Sequence, residues 1–370
     1  MSNDRLLQTF LDLVRIDSPT GEEAGIAQYC AERLRTLGFE VHIDATADVT
    51  GSDTGNLLAV LNGTGARAVV LSAHMDCVEP CRGVEPVLVD GVVSSSGGTV
   101  LGADDKAGIA AILEAVTRAV ESGVSRPTMQ VVLTVQEEIG LRGAKALDPT
   151  ELVRADLCLV LDADGPPGGI IVASPTHYTF IATITGRAAH AGVAPERGVS
   201  AIALAARAVA SMPVGRLDEA TTANVGTIHG GSATNVIAPL VTMTGECRSL
   251  DRSRVESLRA QMDATIRTVV EDGGGEVEIA WTREYEGFAL SASDHPVEFV
   301  ANACGDVGLE VSMQRTGGGS DANILAALGI PTVALSCGMR SVHSTEESIA
   351  VEDLEALTRH THAVLVRLAD

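Results

Sequence analysis

Four short, almost unbroken apolar runs constrain this chain most: AVVLSA (68–73), VVLTV (131–135), LCLVL (157–161) and TVALS (332–336). Strands that alternate apolar and polar residues have one wet face. Strands this continuous are covered on both faces, as in a largely parallel sheet. The covering elements are legible too. IAQYCAERLRTLG, KAGIAAILEAVTRAVESG, HPVEFVANACGDVG and VEDLEALTRHTHAVLVRLA carry helical apolar spacing, and the first two stop near Gly38 and Gly123. Open α/β sheets hold ligands at the carboxyl ends of their strands. There this sequence places His74, Glu138, Asp162 and His343, and a Gly-rich stretch leads into Asp104.

The pattern changes in the middle of the chain. HYTFIATITG, TANVGTIHGG, APLVTMTGECRS and EVEIAWTREY alternate with period two, and two helical segments lie among them. That predicts an antiparallel sheet with one exposed face. The expected organisation is a discontinuous α/β domain over residues 1–175 and 289–370, with a mixed, largely parallel sheet flanked by helices. An α+β domain is inserted over residues 176–288.

Composition narrows the function classes. The chain has 370 residues, 45% apolar and 20% charged, with one Trp, three Tyr and five Phe, so its core is aliphatic. A formal net charge of −23 argues against nucleic acid as a partner and favours cations. No stretch has the length of a membrane span and no secretory leader is legible, so a cytoplasmic protein is expected. Seven scattered Cys read as free thiols. Cys77 and Cys81, just past His74-Met75-Asp76, offer a lesser thiolate-ligand alternative.

Each of the five candidates has an ordinary reading alone: a surface His, an N-cap Asp, a solvated acidic turn, a turn former ahead of Pro166-Pro167, a loop His. Context sharpens them. Asp76 stands two residues past His74, on the same side of a strand, where a carboxylate fixes the tautomer of a metal-bound imidazole. Asp104 and Asp105 precede a helix, and either could bridge two cations. Glu137 and Glu138 directly follow a buried run, so one can bind metal while the other moves a proton. Two His and three carboxylates suit zinc, and also Co or Mn.

HMD, GADDKAG, EEIG, the Asp after a strand, GRAAHAG, GGGSDAN and the late VHS occur in order along essentially the whole chain. Together they resemble the M20 (M20/M25/M40) metallopeptidases, nearest the peptidase T-like members. The resemblance implies two Zn(2+) per chain, one on His74, Asp104 and Asp162 and one on Asp104, Glu138 and His343. It makes Glu137 the general base toward a metal-bridging water, with Asp76 behind His74. It makes the inserted domain a lid and a homodimer interface. His190 matches the histidine that donates to the oxyanion, reaching across the dimer in dimeric members. Asn235 and Arg248 match lid positions that contact substrate, and Gly318 and Gly319 fall in a backbone-lined pocket wall. For Arg248 the ordinary alternative is a salt bridge with Asp251.

One departure stands out. Strict tripeptidases carry an Arg immediately before the Gly-Gly of the last motif. Here that position is Gly317, and Arg315 lies two residues earlier. The expected activity is hydrolysis of an amide bond in a small peptide, by a tripeptide-type aminopeptidase. An N-acyl-amino-acid deacylase or carboxypeptidase is the rival within the class. An inactive binding or assembly homologue is the rival outside it. His360 and His362 read as surface residues of the last helix.

Overall fold

The computed structural model describes residues 2–369. The chain forms two compact units: Met1–Val172 with Leu290–Arg315 and Ser320–Asp370, and Ala173–Ala289 with Thr316–Gly319.

The first unit is built on a mixed sheet. Its central order is Leu57–Leu61, Thr128–Thr134, Ala68–His74, Leu157–Ala163, Thr332–Ser336. The last four of these strands run parallel, as their unbroken apolar character predicts. Leu57–Leu61 is antiparallel to its neighbour. Helix Ala103–Glu121 is buried on all sides from Asp105 to Val116, and it brings Ile109, Ile112, Leu113 and Val116 into the main core. The last helix, Val351–Ala369, joins the same core through Leu354, Leu357, Val364 and Leu368.

His360 corrects the surface reading of that helix. It is 1% exposed, its Nε2 lies 3.0 Å from the carbonyl oxygen of Val300, and Cys304 Sγ is 3.1 Å away. Burial lowers its pKa, so a neutral imidazole sits in the core as a satisfied polar group. His362 is half-buried.

A second sheet of four short strands has no counterpart in the sequence reading. It pairs Pro86–Val89, Val92–Ser95, Ser348–Ala350 and Met339–Arg340. These strands are two to four residues long and several of their residues are exposed, so they carry no periodic signal. They matter for position. Ser348–Ala350 pairs with Val92–Ser95, which places the His343 loop beside the segment that leads to Asp104.

The second unit is a five-stranded antiparallel sheet in the order Gly215–Asp218, Thr221–Gly230, Leu240–Ser249, Thr176–Thr185, Glu276–Tyr285. Helices Ala201–Ser211 and Arg252–Asp272 share a core with Phe180, Ala182, Ile184, Met243 and Cys247. The second helix starts on Asp251, whose Oδ1 accepts the backbone N–H groups of Ser253 and Arg254. The Gly-rich segment 316–319 belongs to this unit. Among the described residues no helix is long and apolar enough to cross a membrane.

Candidate metal centre

The parallel strands deliver their polar residues to one place. His74 is the last residue of its strand, Asp162 the sixth of its seven-residue strand, and Glu137 and Glu138 follow Thr134 by three and four residues. His74 Nε2 lies 3.1 Å from Asp104 Oδ1 and 3.5 Å from Asp162 Oδ1. His343 Nε2 lies 3.2 Å from Asp104 Oδ2 and 3.0 Å from Glu138 Oε1. One Asp104 carboxylate therefore faces two imidazoles, with one oxygen toward each.

These separations suit ligands of a shared cation. Two ligand atoms about 2.1 Å from a tetrahedral zinc lie about 3.4 Å apart. The electrostatics point the same way. Burial pushes the Asp162 carboxyl up to about 7 and raises Glu137 well above the carboxylate range, with the charge of Asp162 adding to the rise of Glu137. The cluster has more carboxylates than nearby positive charge, and bound cations relieve that imbalance. Asp104 differs. Burial pushes it up, but hydrogen bonding to His343 and then His74 outweighs this and holds it below the ordinary range. Contacts with Asp104 and Glu138 raise His343 to about 10. The donor set thus fits a pair of divalent cations.

Asp105 shows why one of the two neighbours is free and the other is not. It is fully buried, its Oδ2 accepts the His74 N–H at 3.2 Å, and its Oδ1 accepts the Gly108 N–H at 3.1 Å. It lies close enough to His74 and Asp162 to join a cation site. With both oxygens bonded to backbone, it serves as a brace, while Asp104 presents both oxygens to the imidazoles.

Asp76 is fully buried beside His74, with Oδ1 3.4 Å from Nδ1. The Asp76 carbonyl oxygen is nearer Nδ1, at 3.0 Å. Contact with Cys81, and then burial, raise the Cys77 pKa, while the same contact lowers that of Cys81. All seven Cys are free and buried.

Sequence reasoning passed over two buried carboxylates here. Asp321 receives the Thr134 hydroxyl on one oxygen, while its Oδ1 is buried without a partner. Burial raises it to about 6. Glu347 accepts backbone N–H groups from Gly102 and Asp104. The available signal for Glu347 was a second Glu four residues past a candidate ligand, which is weak.

The candidate residues of the second unit lie on its own scaffold. His190 is exposed, and its Nδ1 accepts the Gly192 N–H at 3.2 Å, which leaves the proton of the neutral ring on Nε2. Asn235, also exposed, is held beside it: the Asn235 carbonyl accepts the Ala191 N–H at 2.9 Å. Arg248 is cross-strand from His177, which is cross-strand from Tyr285. Its carboxylate partner is Glu246, at 3.2 Å from Nε and 2.8 Å from Nη2, and its Nη1 donates to the Tyr285 hydroxyl at 3.4 Å. The alternative pairing with Asp251 does not form, because Asp251 caps a helix. His177 Nε2 lies 3.0 Å from Glu246 Oε2, close enough for attraction but without an aligned hydrogen bond. The carbonyl of Gly318 accepts the Ser174 hydroxyl at 2.9 Å. Gly319 lies against Tyr285, where a Cβ would sit 2.2 Å from the ring.

Residues 173–273 match the peptidase dimerisation domain family, and residues 87–167 match the M42 glutamyl aminopeptidase family. The uncharacterised protein YqjE of Bacillus subtilis is 41% identical over the whole of both chains. The crystal structure of aminopeptidase PepT from Bacillus cereus superposes with a TM-score of 0.91 at 41% identity, covering 100% of this chain and 99% of that one. The chain belongs to the M20 metallopeptidases. Among M20 enzymes it is peptidase T-like. A tripeptidase from Staphylococcus aureus matches at a TM-score of 0.93 and 37% identity, over 99% of this chain and 98% of that one. As an M20 peptidase this chain is a peptide or amide hydrolase, and its His and carboxylate cluster is a candidate metal centre of that family.

Proposed function

We propose that this M20 enzyme is a tripeptide-type aminopeptidase with a co-catalytic pair of divalent cations. The observation that carries the reading is the Asp104 carboxylate lying between His74 and His343, one oxygen to each. Similarity to PepT and to a tripeptidase over nearly the full length supports the substrate class.

His74, Asp104 and Asp162 would hold one cation, and Asp104, Glu138 and His343 the other. Zinc suits these donors best, and cobalt or manganese would also fit. The cations, when bound, supply Lewis acidity at the scissile carbonyl and acidify the attacking water. Glu137 takes the proton of that water and returns it to the leaving amine. Its burial raises the carboxyl well above the ordinary range, which makes it a stronger base. Asp76 orients His74. His190 donates from Nε2 to the oxyanion. Asn235, Arg248 and the backbone at Gly318 and Gly319 bind the substrate, and the dimerisation domain builds a homodimer.

Beyond its bonds to Glu246, Arg248 donates Nη1 to the Tyr285 hydroxyl at 3.4 Å, and a guanidinium edge suits a peptide carboxylate. The deacylase or carboxypeptidase reading draws on one observation, Gly317 in the place of the tripeptidase Arg. A substrate panel on protein of measured metal content separates the two. Free tripeptides should be turned over, and N-acyl amino acids and N-blocked dipeptides should be poor substrates. Turnover of only the blocked substrates would sink the aminopeptidase reading.

A further inference from the structure

One buried carboxylate outside the proposed machinery touches the ligand segment itself. Glu347 is 1% exposed. Its Oε2 accepts the N–H of Gly102 at 2.7 Å and its Oε1 accepts the N–H of Asp104 at 2.9 Å. Gly102 has a φ of +72°, Asp104 and Asp105 are non-helical, and the side-chain cap of the helix that follows, Asp105 Oδ1 on the Gly108 N–H, leaves the N–H groups of Gly102 and Asp104 unserved. The backbone donors of this turn therefore need an acceptor from elsewhere in the chain.

Glu347 also sits four residues past His343, in the connection between Met339–Arg340 and Ser348–Ala350. Its own N–H donates to the Ser344 carbonyl at 3.1 Å, and the Ser344 hydroxyl donates to the Ser341 carbonyl at 2.7 Å. His343 itself has a φ of +60°, a left-handed conformation that a non-glycine residue keeps only when its surroundings hold it there. One side chain thus ties the turn that presents Asp104 to the loop that presents His343.

We infer that Glu347 is a positioning residue of the metal centre, holding the Asp104 turn and the His343 loop in register so that both meet the same cation. This rests on the metal-centre reading above. Two acceptor oxygens match two backbone donors. Glu347→Gln keeps the volume but turns one acceptor into an N–H donor, which then faces a backbone N–H with no other acceptor. Glu347→Asp keeps the charge but falls one methylene short.

The test uses the full chain, stripped of metal and titrated with Zn2+ against a chromophoric chelator. Wild type should take up two ions. In folded Glu347→Gln the weaker ion should be held about ten- to a hundredfold less tightly, the range for losing a group that orients a ligand. kcat should recover at raised Zn2+, and KM should hardly move. Should Glu347→Gln not fold, Glu347→Asp is expected to show the same loosening. Unchanged zinc affinity in a folded variant overturns the inference, even if the metal-free protein melts earlier, since a merely structural role predicts that. Fewer than two ions in wild type overturns the metal-centre reading and this inference with it.

Discussion

Asp76 Oδ1 accepts the backbone N–H of Glu137 at 2.9 Å. The same carboxylate receives the Glu138 N–H at 3.3 Å and the Thr20 hydroxyl at 2.8 Å, and it stands beside His74 Nδ1. Burial pushes its pKa up, but interaction with His74 and the other donors outweighs this and holds it below the ordinary range. Asp76 therefore stays ionised and fastens the acidic pair at the end of one strand to the imidazole at the end of the next.

Asp76→Asn should loosen the site without emptying it. An amide cannot accept from the Glu137 N–H, the Glu138 N–H and the Thr20 hydroxyl while also serving His74. Metal affinity should drop about 10- to 100-fold, as for other groups that orient a metal-bound imidazole. Metal retention against a chelator measures this, and unaltered retention would count against the role.

Glu137→Ala should fold and bind metal normally while kcat falls about 10²- to 10⁴-fold, the usual contribution of a general base. The comparison to make is kcat against bound metal per chain. Full activity with full metal would remove Glu137 from proton transfer.

Mixing Glu137→Ala with His190→Ala tests whether His190 serves the partner's site. In a confirmed mixed dimer one site would then have both residues intact, and part of the activity should return. A mixed dimer as inactive as its parents would mean that His190 acts within its own chain.

Gly108→Ala should destabilise the first unit. A Cβ there would sit 2.2 Å from the Leu161 carbonyl oxygen and 2.4 Å from Asp105 Oδ1. The first obstacle is backbone and the second is the brace of His74, so neither yields easily. A loss of at least about 1–3 kcal/mol is expected, the range for overpacked cores. Urea unfolding would show it as a lower midpoint with an unchanged slope.

Glu246 gives the second unit a dependence on acid. Its close contact with His177 is the largest influence, burial opposes it and Arg248 adds to it, so its pKa falls from 4.5 to about 2. A carboxyl lowered on folding contributes stability that is fully present above its unfolded pKa. That stability is lost as the pH falls from there toward about 2. Glu246→Gln should flatten this decline between about pH 5 and pH 3 while lowering stability at neutral pH. The same acid slope in both proteins would show that the pairing adds little.

How far the sequence reaches can be judged residue by residue. Unbroken apolar runs fixed the parallel strands, because burial on both faces is written into the composition of five or six adjacent residues. Those runs also placed His74, Glu138, Asp162 and His343 where a parallel sheet gathers ligands. Period two placed the antiparallel sheet of the second unit for the same local reason. Asp104 and Asp105 were not separable by such reasoning. Only the fold gives the oxygens of Asp105 to the amides of His74 and Gly108, and those of Asp104 to two imidazoles. Likewise Arg248 meets Glu246 because residues two apart on a strand share a face, while Asp251 is engaged at a helix start. His360 was misread because helical spacing gives a stripe but not its neighbours, and here Val300 supplies the carbonyl that makes a buried His tolerable. Glu347 lies 243 residues from Asp104 in the chain. Pattern is a local property, and the sequence alone determined what is local. The pairing of each oxygen with each donor depends on contacts between distant segments, and only the tertiary structure decided it.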